Sequence, residues 1–219
     1  MWENYKTFTD GSNFWRDQYL LPRWAANNMA VVYRGQTHNG YTLERSPERR
    51  VRRIQQVIKA VAELHKLGVV HGERVTEPEN IGFGDGNIQL LDFEYSFRPK
   101  PGAAYGKDSF AIGTPLPPEL IGDNKTTTEP FKVDSWHLGQ LIYFILMDGC
   151  PIFRLGFWSR DDDIRKTYMQ SLADLECGRD ERMNKLPAEI KNAFAPVIEK
   201  LLVGDPRLRL SVQDLERSV

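Results

Sequence analysis

From Ser46 to Gly68 the apolar residues Val51, Ile54, Val57, Ile58, Val61 and Leu64 recur at spacings of three and four, which places them on one face of an α-helix. Ser46 is a candidate N-cap, Pro47 suits the first helical position, and Gly68 closes the pattern. The opposite face carries Arg49, Arg50, Arg52, Arg53 and Lys59 and reads as a solvated basic face, with an acidic partner as its functional counterpart. Upstream, Met29 to Tyr33 is a short β-rich run stopped by Gly35, as expected of an edge strand packed on that helix. Ile81 to Phe83 and Asn87 to Phe93 flank Gly84-Asp85-Gly86, so a small hairpin is predicted there. Val133 to Met147 is apolar on nearly every side and is predicted to be the central helix of a helical core. Residues 161–175 and 187–202 are also helical in period, the second with Ile190, Phe194, Val197, Ile198, Leu201 and Leu202 on one face. Pro196 has no N–H and crowds the preceding turn, so it is expected to divide that stretch into two helices. Residues 94–131 are rich in Pro, Gly, Lys and Thr and show no period; so long a loop in a compact domain is usually functional or disordered.

Composition changes this picture little. The 219 residues are 41% hydrophobic, 27% charged and 11% aromatic, which excludes a disordered tail and fits one folding unit able to bury its own core. Twenty-nine Lys and Arg against thirty Asp and Glu give a net charge of −1, so a general nucleic-acid binder is excluded. Cys150 and Cys177 stand apart, with no CxxC pair, which argues against zinc and disulfides and for an intracellular, cytoplasmic or nuclear, setting. Met1 to Asp17 has no apolar run of the signal-peptide kind. The apolar stretch Leu138 to Met147 is well short of the roughly 20 residues that span a bilayer, so no membrane association is expected.

The order of short motifs is more telling. Leu64-His65-Lys66-Leu67-Gly68-Val69-Val70-His71 is followed by Pro78-Glu79-Asn80-Ile81, Leu91-Asp92-Phe93-Glu94, Gly113-Thr114-Pro115 and Pro117-Pro118-Glu119-Leu120. Then come Val133-Asp134-Ser135-Trp136-His137-Leu138-Gly139 and Asp205-Pro206-Arg207-Leu208-Arg209-Leu210. From about residue 29 to 217 this resembles the C-terminal lobe of eukaryotic-type protein kinases, with their catalytic loop, DFG motif, APE motif, following helix and closing helix pair in order. The resemblance implies an α+β, protein kinase-like fold, mainly the helical C-lobe with a small remnant of the N-lobe sheet. Residues 1–35 would be that remnant and the hinge. Residues 36–219 would be the C-lobe, with catalytic-loop region 71–80, DFG-like motif 92–94, activation segment 92–119 and central helix 133–147.

It also implies ATP and Mg²⁺ as cofactors and a protein as substrate or partner. Asn80 and Asp92 would be metal and nucleotide ligands, because phosphoryl transfer needs the triphosphate charge neutralised by hard oxygen donors held on a rigid hairpin. They lie 12 residues apart across the Gly84-Asp85-Gly86 turn, which would bring the two hairpin ends together. Tyr33, where the strand runs into the hinge, would be a nucleotide-binding residue. Glu119 and Arg209 would form a structural ion pair, and Asp134 would hold the catalytic-loop backbone from the central helix. A carboxylate in so apolar a helix must accept hydrogen bonds, which favours that role over simple exposure. His137 reads as a core histidine, and Phe153, Phe157 and Trp158 as local packing or as part of a partner-binding region.

The departures limit the carry-over. The family's catalytic Asp follows His-Arg, whereas His71 is followed by Gly72-Glu73, and the loop to Asn80 is two residues longer. Aligned from His71, Glu73 stands where the base belongs; counted back from Asn80, Val75 does and no base remains. A base misplaced by about 1 Å costs on the order of 100-fold. Gly72 removes the Arg that answers a phosphorylated activation loop, and Glu94 replaces the permissive glycine of DFG, so a frozen segment is expected. Before His71 no GxGxxG occurs, and Lys6 lies in no VAIK-like strand. Three functions are compatible with these residues. They are a degenerate kinase-like domain acting as a binding or scaffold module, a divergent Ser/Thr protein kinase using Asn80, Asp92 and Glu73 with His71, and a small-molecule phosphotransferase of the choline-kinase type suggested by Asp92-Phe93-Glu94-Tyr95.

Overall fold

The helical pattern that starts at Ser46 becomes α1, Pro47–Lys66, whose Ile54, Val57, Ile58, Val61, Ala62 and His65 are buried. In this computed structural model the described residues are 46–72, 80–84, 87–110, 116–123, 125–153 and 160–218. The predicted strand 29–33 with Tyr33, the loop residue Glu73, and Phe157 and Trp158 lie outside them. Ser46 stands at the N-cap, but its hydroxyl bonds the Glu48 carboxylate and not a backbone N–H, so the proline, with φ already helical, marks the helix start. The basic face of α1 is only partly solvated. Arg49, Arg52 and Lys59 are exposed, whereas Arg50 donates to the Leu146 carbonyl at 2.8 Å and approaches Asp148 at 3.5 Å. A cation there meets the negative end of the helix that stops at Leu146.

β1, Ile81–Gly84, and β2, Asn87–Leu90, form the predicted antiparallel hairpin, with Ile81 opposite Leu90 and Gly84 opposite Asn87. The stretch expected to be an unstructured loop has structure of its own. β3, Tyr105–Gly106, pairs with β4, Thr126–Thr127, and 3-10 turns occupy Lys107–Ser109 and Pro118–Leu120. Elements this short leave no periodic trace, because two or three residues cannot display a repeat.

The central helix α2 is Pro130–Leu146, starting three residues earlier than predicted because Pro130 takes its first position. Trp136, Leu138, Leu141, Ile142 and Ile145 are wholly inaccessible, and His137 is buried with them. A Cβ at Gly139 would lie 2.9 Å from Leu201 Cβ and 2.9 Å from Leu202 Cδ2. Only glycine allows α2 to cross the next-but-one helix this closely. Between them in sequence, α3, Asp161–Glu176, buries Tyr168 and Leu175. α4, Ala188–Leu201, then runs unbroken through Pro196, against expectation. Pro196 is exposed, so the Asn192 carbonyl it leaves without a helical partner faces the solvent side, while Phe194, Ile198 and Leu201 stay buried and hold both halves in line. α5, Val212–Ser218, packs on α1 and is capped by Ser211, whose hydroxyl accepts from Asp214 N at 3.1 Å and donates to its carboxylate at 2.6 Å. No described helix is long and apolar enough to cross a membrane.

One corner is strained. After α2 the chain turns through Asp148 at φ 54° and Gly149 at φ 88°, and Gly149 N closes the turn on Phe144 O at 2.9 Å. This left-handed position is normally a glycine's, and an L-residue there costs about 1 kcal/mol. The 3.5 Å contact of the half-buried Arg50 with the exposed Asp148 returns only a few tenths. Asp148→Gly is therefore expected to raise the thermal midpoint by about 1–2 °C, measured by calorimetry; a lower midpoint would mean that the Arg50 contact outweighs the strain.

Candidate functional site

The site is built where the end of α1, the hairpin and α2 meet. Beyond α1 the chain turns at Gly68, φ 71°, and runs as Val69-Val70-His71-Gly72 past the N-terminal turns of α2, at Val133 and Asp134. Val70 pairs with Phe97 through both backbone bonds, Val70 N to Phe97 O at 2.9 Å and Phe97 N to Val70 O at 3.1 Å. Asp134, fully buried on α2, accepts three hydrogen bonds: from His71 N at 2.8 Å, Gly72 N at 3.2 Å and His65 Nε2 at 2.9 Å. Burial pushes its carboxyl up, but the His65 hydrogen bond, the charges of His65 and His71 and the His71 N–H outweigh it, leaving the pKa below the ordinary aspartate value. His71 is itself buried, its ring 4.8 Å from that of Phe93.

The hairpin brings the two candidate ligands to one end. Leu91 N donates to Asn80 O at 2.8 Å, so Asp92 follows directly on the last rung, which Asn80 itself closes. Asn80 is buried at 8% exposure, whereas Asp92 is exposed and held at φ 59°. Such a backbone is uncommon away from glycine, with aspartate among the residues that adopt it most readily. An amide oxygen and a carboxylate are hard donors of the kind Mg²⁺ accepts, and Mg²⁺ is ordinarily bound by only one or two carboxylates plus substrate phosphates, so this donor set fits the ion. Among the described residues no three His, Cys, Asp or Glu side chains gather as a self-sufficient metal cage. Glu94 costs the backbone nothing: Asp92 and Asp148 are the non-glycine residues with positive φ among those described, so position 94 needs no glycine in this conformation.

At the other end of the segment, Arg209 is wholly buried and makes a two-pronged pair with Glu119, Nη1 to Oε1 and Nη2 to Oε2, both at 2.8 Å. Its remaining donors reach Val203 O at 2.9 Å and Lys132 O at 2.8 Å, and its guanidinium lies 5.1 Å from the Trp136 ring centroid. Trp136 stacks on Phe153 at 5.5 Å, so Phe153 is a core residue. Phe153 in turn meets the Tyr168 ring at 4.2 Å.

Three participants carried no assigned role in the sequence. His65 is the third partner of Asp134; its signal was a histidine on the buried face of α1, one turn after Val61. Tyr168 and Arg165 on α3 hold the stretch around Glu119, donating to Leu116 O at 2.8 Å and Ile121 O at 2.6 Å. Burial, and then the nearby Glu119 charge, raises the Tyr168 hydroxyl far above its ordinary pKa, so it remains a donor at every physiological pH. Nothing in the α3 pattern distinguishes these two residues from ordinary members of an amphipathic helix.

Residues 29–218 match the family model described as a protein kinase domain. The chain is 28% identical over 163 residues to the human SNF-related serine/threonine-protein kinase, covering 74% of this chain and 19% of that protein. It is 31% identical over 182 residues to the human hormonally up-regulated neu tumor-associated kinase, covering 80% and 23% respectively. It is 32% identical over 167 residues to an Aurora kinase of Schizosaccharomyces pombe, covering 75% and 41%. The chain thus spans about a fifth of the first two relatives and two fifths of the third.

Proposed function

Because the chain belongs to the protein kinase domain family, we propose that, as it stands, it is a degenerate kinase-like C-lobe that works as an intracellular protein-binding or scaffold module. The observation that carries this reading is the contrast at Asp134. The scaffold that should present the catalytic loop is fully hydrogen-bonded, yet the loop it presents begins His71-Gly72-Glu73 and contains no aspartate up to Asn80. Asp134 accepts from the backbone N–H groups of His71 and Gly72, which supports alignment from His71; on that alignment Glu73 would stand in the base position, with the two extra residues downstream. A longer carboxylate arm on a longer loop is a poor fit to the reach of about 3 Å that proton abstraction needs.

A second reading, a divergent Ser/Thr protein kinase, draws on the juxtaposed Asn80 and Asp92. Mg²⁺, when bound, would neutralise the charge of the transferring phosphoryl group of ATP. Asn80 and Asp92 would hold that ion, Glu73 would take the acceptor proton, and Asp134 would keep the loop in place. The small-molecule phosphotransferase reading rests on Asp92-Phe93-Glu94-Tyr95 and draws no support from the Glu119–Arg209 pair.

Thermal unfolding with and without millimolar Mg²⁺-ATP, beside Asp92→Asn, separates the first two. The module reading expects no metal-dependent shift and no phosphate transfer to Ser/Thr peptides. A ligand at about 100 times its dissociation constant stabilises by roughly 2.7 kcal/mol, or on the order of 5–10 °C here. A metal-dependent shift of that size, abolished by Asp92→Asn, would overturn the first reading in favour of the second.

A further inference from the structure

The chain following Asp92-Phe93-Glu94 is fastened to the His71–Gly72 stem at several independent points. Ser96 Oγ donates to the His71 carbonyl at 2.6 Å, one residue before the two-way backbone pairing of Phe97 with Val70. A Cβ on residue 72 would lie 2.3 Å from the Tyr95 carbonyl oxygen, and residue 72 sits at φ 68°. Tyr95 can pass this close only because Gly72 has no side chain. The Phe97 ring stacks on Tyr105 at 4.8 Å and 28°, and meets Phe110 nearly edge-on at 5.9 Å. Phe110 is fully buried in a small apolar cluster with Val70, Leu120 and Val133. Tyr105 is anchored in turn, its hydroxyl accepting from Lys100 N at 2.6 Å and its backbone pairing with Thr127.

We propose that Phe97, Tyr105 and Phe110, closed on Val70, form a built-in aromatic clasp that keeps residues 95–110 ordered against the catalytic-loop stem in the unphosphorylated chain. Ordering by phosphorylation works by placing a doubly charged group opposite an arginine cluster, which supplies charge-assisted hydrogen bonds. Here the residue after His71 offers no guanidinium, and the backbone of Tyr95 fills the space its side chain would need. Apolar burial and ring stacking take over that work: aromatic pairs add to their buried area a geometric preference that fixes how the rings meet. The inference names a form of regulation for the site above and rests on the kinase-fold reading, but not on whether the chain transfers phosphate.

The test is hydrogen exchange, read by mass spectrometry, on the whole 219-residue chain after phosphatase treatment. The clasp predicts slow exchange at Val70, Phe97 and Phe110. Tyr105→Ala is expected to speed exchange across residues 96–110 by about tenfold or more while α2 and α4 keep their protection. Tyr105→Phe, which keeps the ring, is expected to stay within about twofold of the parent at Phe97 and Phe110. Gly72→Ala is an independent probe from the opposite side and is expected to open residues 95–97. Rapid exchange of the segment in the dephosphorylated chain, protection that appears only in a phosphorylated sample, or a Tyr105→Ala chain that exchanges like the parent would each overturn the proposal. An inert chain with a slow segment upholds the clasp, and an active chain with a fast one removes it while leaving phosphotransfer intact.

Discussion

Asp134→Ala is expected to lose about 3–5 kcal/mol of stability, read as a fall of roughly 10 °C or more in thermal midpoint. The side chain is fully buried and is the acceptor for two backbone N–H groups and a ring nitrogen, all on buried residues. Truncation leaves three donors facing a small apolar gap, and each orphaned buried group costs about 1–3 kcal/mol. Asp134→Asn keeps the shape but turns an NH₂ toward donors, so it should recover only part of the loss. The pH dependence distinguishes the charge from the packing. The folded carboxyl has a pKa below the ordinary 3.8, so its contribution is fully present above that value and disappears as pH falls through the folded value. The gap between parent and Asp134→Ala should therefore narrow as pH falls below about 4. A gap that does not change with acid would mean that the deficit is packing alone.

Arg209→Met is expected to cost a similar amount, about 3–5 kcal/mol, by leaving Glu119 charged without its partner. Glu119's side chain is 12% exposed and Arg209's is not exposed at all, so water can do little to replace the lost guanidinium. The Val203 and Lys132 carbonyls lose their donor in the same substitution. The informative comparison is the double variant Arg209→Met with Glu119→Leu. With both charges gone, much of the loss should return, since a buried pair replaced by well-packed apolar side chains is often neutral. Urea unfolding of the two single variants and the double variant gives the coupling directly. If the double variant is as unstable as Arg209→Met, the bonds to Val203 and Lys132 carry the stability and Glu119 is secondary.

The two predictions draw on different amounts of sequence information. The sequence pairs Glu119 with Arg209 only through a resemblance, since they are 90 residues apart. Asp134 called for hydrogen-bond donors on physical grounds, as a carboxylate in an otherwise apolar helix. That one of those donors is His65, 69 residues away, was not readable. Its place on the buried face of α1 was visible, but which element that face would meet was not. The hairpin was legible because its turn chemistry is local, and with it the proximity of Asn80 and Asp92. The left-handed backbone of Asp92 was not, because nothing in the residues beside it calls for a positive φ.

Period and punctuation by themselves determined α1, the β1–β2 hairpin, α2 and the helical character of α3 and α4, because each depends on residues within a few positions of one another. The order of motifs did the same for the family. Tertiary structure alone decided that α4 continues through Pro196, where burial of Phe194, Ile198 and Leu201 outweighs one missing hydrogen bond. It also decided that part of Arg49–Lys59 is bonded rather than solvated. Within the aperiodic stretch, it brought the rings of Tyr105 and Phe110 onto Phe97. Each of these outcomes turns on which distant surface a residue packs against, and that depends on the closed fold rather than on local spacing.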